Sequence, residues 1–185
     1  LIQRTEWRKS AVVGASVSLA LMFSSYFFSW GIALSVFAVL TVLLLFHKEY
    51  KTAGTLALIV PLGVLFAAPY WIAVWRATQS PWYEESVLRS GLFLTHYPLF
   101  NKLLLATILF FVLALALDFF WKKRKGIPFR FDEWLWFCFA LLLGGVWAYS
   151  QQILTGRTVW PYHFVQYTIP LSMIVVMVVS YRIVR

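Results

Sequence analysis

The chain has 185 residues, of which 62% are hydrophobic and 12% charged, and its mean hydropathy is +0.78. Soluble globular domains carry about 25% charged residues, so this composition excludes that class and is typical of an integral membrane protein. The formal net charge of +9 is not accompanied by an RNA- or DNA-binding motif, and the Lys and Arg bias of cytoplasmic loops accounts for it without nucleic acid.

The first residues are polar and charged. They include Arg4, Glu6, Arg8 and Lys9, and a long apolar run follows them directly. This order is expected of a loop that joins two membrane spans. We therefore expect the chain to be a C-terminal piece of a longer membrane protein, with the rest of that protein or other membrane subunits as its partners.

Residues 10–46 contain no charged side chain. A single helix of that length would run roughly 55 Å, well beyond a hydrocarbon core of about 30 Å. The run is therefore predicted to fold back at Ser29-Trp30-Gly31, where Gly31 supplies backbone freedom and Trp30 an interfacial anchor.

Four further apolar segments follow. The segment at 53–75 contains Pro61 and Pro69, which favour kinks. The segment at 102–121 contains the acid Asp118 one helical turn from Lys122, so an ion pair at the membrane boundary is expected. The predicted fold is all-α, a polytopic membrane helix bundle that forms one domain over residues 1–185, with six transmembrane spans at about 10–29, 31–46, 53–75, 102–121, 134–150 and 167–181.

The distribution of positive charge predicts the orientation of these spans. With the N-terminus in the cytoplasm, all but four of the 16 Lys and Arg residues fall in cytoplasmic segments, the exceptions being Arg76, Arg89, Lys102 and Arg157. This asymmetry predicts that both termini are cytoplasmic. The two long polar loops, 76–101 and 150–166, then share the opposite, non-cytoplasmic face.

The first of these loops has the pattern of a short helix. Ser80 is a suitable N-cap, Pro81 suits the first turn, and Glu84 and Glu85 would lie near the positive end of the helix dipole. The residues from Pro81 to Leu94 predict an amphipathic helix in the plane of the interface, ended by Pro98. Arg89 and His96 are candidate contacts for a phosphate or a sugar, and the alternative is a connector that rests on lipid without any chemistry.

The second loop is the most polar stretch between two apolar segments. Gln151 and Thr155 are spaced to share a helical face, while Gln152 turns away from it. Gly156 is a plausible residue just past a helix end, and Pro161 prevents the helix from resuming.

Arg157 and His163 are then presented from irregular backbone, which at membrane depth must be buried in protein or line a cavity. Arg can bind phosphate with two parallel hydrogen bonds, and His can donate to it. The alternative is anchoring at the headgroups by Trp160, Tyr162 and Arg157. The candidate substrate-binding residues are Arg89, His96, Gln151, Gln152, Thr155, Arg157 and His163.

No metal site or cofactor is predicted, because no His, Cys, Asp or Glu cluster has metal-ligand spacing and no nucleotide-binding motif is present. The outer loops contain only Glu84 and Glu85 as acids, and helix capping explains both. No catalytic residue is predicted.

Two motifs carry a resemblance to a known family. Leu88-Arg89-Ser90-Gly91-Leu92 followed by Thr95-His96-Tyr97-Pro98, and later Gln151–Arg157 with Pro161 and His163, resemble uncharacterised bacterial multi-pass membrane proteins. Those proteins are similar to the GT-C superfamily of polyprenyl-phosphate-dependent glycosyltransferases.

The resemblance implies a C-terminal membrane part of such an enzyme in the bacterial inner (plasma) membrane. It implies that Arg89, His96, Arg157 and His163 hold the lipid-linked phosphate of a polyprenyl-phosphate sugar. In this superfamily the catalytic acid lies in the first outer loop, near the N-terminus of the whole protein, and no such loop is recognisable here.

Three functions are compatible with the sequence. The first is the membrane part of a GT-C-like glycosyltransferase acting on a lipid-linked sugar. The second is a transporter or flippase of an anionic or lipidic solute, in which Pro61, Pro69 and Pro170 would kink the helices. The third is a non-enzymatic membrane scaffold whose loops serve only as anchors.

Overall fold

A computed structural model describes residues 5–25, 27–89, 92–97, 99–159 and 163–184, with the backbone alone at several positions near the ends of elements. Within these residues the regular secondary structure is helical apart from two three-residue strands. In chain order the elements are α1 Thr5–Phe23, α2 Phe27–Phe46, α3 Tyr50–Phe66, α4 Ala68–Thr78, α5 Tyr83–Arg89, β1 Leu92–Leu94, α6 Lys102–Arg124, α7 Glu133–Ser150, α8 Gln152–Thr155, β2 Arg157–Val159 and α9 His163–Val184.

The helical class predicted from composition is confirmed, and the number of membrane spans is shown only in part. Among the described residues, three helices are long and apolar enough to cross a membrane: Lys102–Arg124, Glu133–Thr155 and Gln166–Ile183. A fourth crossing results if the bent pair α3 and α4 counts as one span. The apolar parts of α1 and α2 are shorter, at Lys9–Phe23 and Trp30–Phe46.

The break in the long uncharged run lies earlier than predicted. Helix α1 ends at Phe23 and α2 begins at Phe27, so Trp30 and Gly31 are inside α2 rather than in a turn. The hydroxyls of Ser24 and Ser25 donate to the carbonyls of Ala20 and Met22, at 2.9 Å in both cases. These bonds give further partners to carbonyls in the last turn of α1.

The predicted kink between α3 and α4 is present at the second proline. The two helices meet at Ala67 with a bend of 58°. Pro69 lies in the first turn of α4, where a missing amide hydrogen costs nothing, whereas Pro61 is accommodated inside α3. The segment predicted as one span is therefore two helices.

Two hydrophobic clusters form the core, and α2 contributes to both. One cluster joins α1, α3 and α4 around Leu19, Phe23 and Leu56. The other joins α6, α7 and α9 around Leu135, Leu142 and Val175.

Helix α2 approaches α7 very closely at Gly144. A Cβ built on Gly144 would lie 2.6 Å from Val36 Cγ2 and 2.8 Å from Val36 Cα. Small residues permit such close helix approach in membranes, where packing replaces the hydrophobic effect as the source of association.

Ion pairs connect α6, α7 and α9 at one end of the bundle. The predicted pair is present, with Lys122 Nζ 2.8 Å from Asp118 Oδ2. The Arg182 guanidinium reaches the same carboxylate at 3.7 Å, forms an ion pair with Asp132 and donates to the carbonyl of Arg130 at 2.8 Å. Asp132 also caps α7 by accepting from the amide of Leu135. One arginine thus joins three helices and a loop.

The helix predicted over residues 81–94 is shorter than expected. Helix α5 covers only Tyr83–Arg89, and Leu92–Leu94 form strand β1 instead of its apolar face. The reason is non-local, because β1 pairs with a strand more than 60 residues away, and this pairing outweighs the weak propensity of a short segment. Pro98, the predicted helix end, lies outside the described residues.

Replacing Gly144 by Ala should loosen the contact between α2 and α7. Because the new methyl group would overlap backbone atoms of Val36, which cannot rotate away, we expect the free energy of unfolding to fall by about 1–3 kcal/mol. Denaturation in detergent micelles measures this loss. Gly54→Ala is the control, since a Cβ at Gly54 in helix α3 meets nothing within 4 Å. Equal stability of the two variants would contradict the close approach.

Candidate functional site

The two polar loops are joined by backbone hydrogen bonds. Strands β1 and β2 are antiparallel, with Leu92 opposite Val159, Phe93 opposite Thr158 and Leu94 opposite Arg157. The amide of Thr95 donates to the carbonyl of Gly156 at 3.0 Å and extends the pairing by one step. The two loops that charge counting grouped on one face are therefore direct partners in the fold.

The chain reverses between α7 and β2 through a single turn of helix. Helix α8 ends at Thr155, and Gly156 adopts φ 67°, in the left-handed region that glycine favours. Its amide donates to the carbonyl of Gln152 at 2.8 Å. The prediction that Gly156 ends a helix is confirmed. Pro161 lies outside the described residues.

His96 packs against this turn from the other loop. Its Nδ1 lies 3.0 Å from the carbonyl oxygen of Ile153, a hydrogen bond that requires the proton on Nδ1. A Cβ on Gly156 would lie 2.9 Å from His96 Cε1 and 3.0 Å from Nε2. Glycine is therefore needed for both its φ angle and its lack of a side chain, and His96 ties the two loops together.

Gln152 is fully buried beneath the strands, with 0% of its surface exposed. Its Nε2 donates to the carbonyl of Tyr149 at 2.6 Å and to the carbonyl of Tyr97 at 3.0 Å. Its Oε1 has no hydrogen-bond partner among the described residues, and the same is true of the buried hydroxyl of Thr158. Gln152 is a second side-chain link between the loops.

Gln151 and Thr155 lie on one face of the turn, as predicted. The Thr155 hydroxyl donates to Gln151 Oε1 at 2.8 Å, and Gln151 Nε2 donates to the carbonyl of Arg157 at 3.0 Å. Thr155 Oγ1 is also 3.1 Å from that carbonyl. Both side chains therefore fix the backbone of Arg157.

The side chain of Arg157 is exposed and free of these bonds. In the part of the chain that the structure describes, no carboxylate or carbonyl engages its guanidinium. Its cross-strand neighbour Leu94 is exposed, as are Tyr97, Phe100 and Leu154 in the two joined loops. A cation of this kind among exposed apolar side chains is typical of a surface at lipid-headgroup depth.

Two candidate residues remain. Arg89 is exposed on α5, where it forms an ion pair with Glu85 one turn earlier. His163 is the first residue of α9, and its side chain lies outside the described residues. The structure thus brings together His96, Gln151, Gln152, Thr155 and Arg157, mostly by hydrogen bonds to backbone.

A buried polar network beneath the loops was not predicted. Asn101 caps α6 by accepting from the amides of Leu103 and Leu104. Its Nδ2 donates to the hydroxyls of Tyr149 at 2.6 Å and Thr168 at 2.9 Å, which connects α6 to α7 and α9. One signal was available, because an Asn directly before a long apolar run is a typical N-cap.

The same interface has a second hydrogen bond further along. The Thr107 hydroxyl on α6 donates to the hydroxyl of Ser172 on α9 at 2.8 Å. Polar side chains that bond across helices in this way stabilise membrane bundles by roughly 0.6 kcal/mol each.

Within the described ranges, no three His, Cys, Asp or Glu side chains lie close enough to hold a metal ion. Comparison with known proteins gave no match, whether to a family model, to a curated protein or to a solved structure.

Gly156→Ala should lower the free energy of unfolding more than Gly126→Ala does. Both glycines have positive φ, 67° and 68°, so each substitution incurs about 1–2 kcal/mol of backbone strain. Only Gly156 also faces a side chain, the ring of His96, whereas a Cβ on Gly126 meets nothing within 4 Å.

The extra loss of unfolding free energy in Gly156→Ala should vanish in a His96→Ala background. Denaturation of Gly156→Ala and Gly126→Ala, each with His96 and with His96→Ala, measures it. If Gly156→Ala remains costlier than Gly126→Ala without His96, the ring contact is not the cause.

Proposed function

We propose that this chain is the membrane part of a GT-C-like glycosyltransferase, and that it binds the phosphate of a polyprenyl-phosphate-linked sugar. The binding surface is the loop surface, defined as Leu94, Tyr97, Phe100, Leu154 and Arg157. The observation that supports this proposal best is the exposed guanidinium of Arg157, which has no partner among the described residues and lies among exposed apolar side chains. A lipid-linked phosphate combines an anionic group with a long apolar tail, which matches both parts of this surface.

The chemistry of Arg157 suits a phosphate ligand. A guanidinium is planar, always charged and able to form two parallel hydrogen bonds to phosphate oxygens. The backbone of Arg157 is already held by Gln151, Thr155 and the pairing with Leu94. Binding then requires the ordering of one side chain rather than of a loop, which lowers its entropic cost.

The other candidate residues have supporting roles in this proposal. Gln151, Gln152, Thr155 and His96 position the two loops through bonds to backbone carbonyls. Arg89 shares its charge with Glu85, so its contribution to phosphate binding is smaller than that of Arg157.

The proposed role is binding rather than bond cleavage. Of the acids in the first loop, Glu85 is in an ion pair with Arg89, and Glu84 lies in the first turn of α5. Neither is placed as a general base beside Arg157. The catalytic acid would come from an upstream loop of a longer chain, as the GT-C resemblance implies.

The proposed setting is the bacterial inner membrane, with the loop surface on the non-cytoplasmic face. The bias of Lys and Arg toward the other end supports this orientation. The rest of a parent chain or other membrane subunits would complete the enzyme.

A transporter or flippase is the second candidate, and the bend between α3 and α4 favours it. Interrupted helices form substrate sites in many secondary transporters. Movement of a labelled polyprenyl phosphate between leaflets of reconstituted vesicles would support this function. Binding at the loop surface without movement would support the first.

Arg157→Ala should weaken binding of a polyprenyl phosphate by about 10- to 150-fold, because a charge-assisted bond to phosphate contributes roughly 1.5–3 kcal/mol. Titration of the lipid into protein in nanodiscs measures the affinity. Arg157→Lys keeps the charge but not the paired geometry and should be intermediate.

Arg76→Ala is the matched control, since it removes an exposed arginine of α4 that is not part of the loop surface, and it should leave the affinity unchanged. Wild-type affinity in both Arg157→Ala and His163→Ala would rule out phosphate binding at this surface.

The proposed orientation predicts which introduced cysteines react from outside. Gln79→Cys in the loop after α4 should be labelled by an impermeant maleimide in intact cells, and Lys125→Cys only after permeabilisation. Both positions are exposed, and the native Cys138 is buried and should give little background. The opposite pattern of labelling would reverse the orientation.

A further inference from the structure

The described residues at the end of the bundle opposite the loop surface include more Lys and Arg than Asp and Glu. The two acids closest to the bundle here, Asp118 and Asp132, are both engaged by Lys122 and Arg182. These pairs neutralise one another within the fold, so they contribute little net charge to the surrounding surface.

Four other cations at this end lie on the connection between α6 and α7. We name Lys123, Arg124, Lys125 and Arg130 the basic connection; all four are exposed. No carboxylate among the residues that the structure describes forms an ion pair with them. Lys125 instead lies over the ring of Trp121, with Nζ 3.8 Å from the ring centroid.

The backbone of this connection is well fixed at the end of α6. The amide of Ile127 donates to the carbonyl of Lys122 at 2.9 Å, and the amide of Gly126 donates to the carbonyl of Lys123 at 3.2 Å. With Gly126 at φ 68°, this is a Schellman end, which satisfies the last carbonyls of the helix. Further along, the Arg130 carbonyl is held by Arg182.

Exposed tryptophans flank the basic connection on both sides. Trp121 is in the last turns of α6 and Trp134 in the first turn of α7, and both are largely exposed. Tryptophan side chains gather where the hydrocarbon meets the headgroups. Trp121 and Trp134 therefore favour a position of the four cations near lipid phosphates.

We propose that the basic connection binds the headgroups of anionic membrane lipids. Clusters of four or more Lys and Arg directly beside a membrane helix attract anionic lipids, with about 1 kcal/mol per cation, or about fivefold in affinity. The negative end of the α6 dipole accounts for cations in the last turn, but Lys125 and Arg130 lie beyond it. The proposal does not depend on the function of the loop surface, which is at the other end of α6.

The ligand is a lipid surface rather than free phosphate because the cations lie beside exposed apolar rings and not within a closed pocket. Glu133 is the acid nearest in sequence that has no ion pair, and its place in the first turn of α7 is explained by the dipole of that helix.

The test uses the chain in nanodiscs of phosphatidylcholine that contain a minor fraction of phosphatidylglycerol. Native mass spectrometry counts the phosphatidylglycerol molecules retained, and titration with a headgroup-labelled phosphatidylglycerol gives the affinity. Lys123→Gln/Lys125→Gln should weaken binding roughly 25-fold at low ionic strength. The matched control is Arg76→Gln/Lys102→Gln, which removes the same charge at exposed positions and changes the opposite end of α6.

The outcomes separate the proposal from simpler explanations. Selective loss in the first variant, with an unchanged melting midpoint in neutral detergent and restored affinity in a double Lys→Arg variant at 123 and 125, supports the site. Equal loss in both variants, or no loss in either, overturns it. Displacement of the lipid by inorganic phosphate alone at similar concentration would also overturn it, because free phosphate would then be the ligand.

Discussion

The pairing of strands β1 and β2 is the interaction on which the candidate site depends. In the hydrocarbon region of a membrane, backbone that is neither helical nor paired leaves polar groups without partners, at a cost of several kcal/mol for each group. The three-residue strands meet this requirement for two loops at once. They also fix the register, so Leu94 lies beside Arg157 and the arginine side chain points away from the buried Thr158. Without this pairing, Arg157 would lie on an irregular loop with no defined neighbours.

Polar groups hold the helices α6, α7 and α9 at both ends, and packing holds them in between. Asn101 joins the three helices beneath the loops, and Arg182 joins them at the opposite end. Between these points the contacts are mainly apolar, together with the hydrogen bond from Thr107 to Ser172. Such an arrangement suits a bundle in lipid, because apolar side chains gain little free energy by exchanging contacts with lipid tails for contacts with each other. Interhelical hydrogen bonds and close packing then supply the specificity. The two ends differ in charge and in exposed chemistry, and each proposal concerns one end.

Local sequence patterns predicted the helices and their simple contacts. The Asp118–Lys122 ion pair, the bend near Pro69 and the helix end at Gly156 each depend on a few neighbouring residues, and each is present. Contacts between distant residues were missed: Leu92–Leu94 was assigned to a helix because its partner strand is far away in sequence. The polar loop residues were selected as ligands because of their chemistry alone. Most of them form hydrogen bonds to nearby backbone. From the sequence alone, a polar side chain that bonds to backbone cannot be distinguished from one that binds a ligand. The resemblance to GT-C enzymes remains a prediction.

We propose above that the joined loops present Arg157 to the phosphate of a membrane lipid. The most direct measurement is photo-crosslinking with a polyprenyl phosphate that carries a diazirine on its first isoprene unit, followed by peptide mapping. We expect crosslinks at Leu94, Tyr97, Phe100 or Leu154, and we expect them to disappear when unlabelled polyprenyl phosphate is added in excess. Crosslinks confined to helices α1 to α4, or crosslinks that excess unlabelled lipid does not reduce, would contradict it.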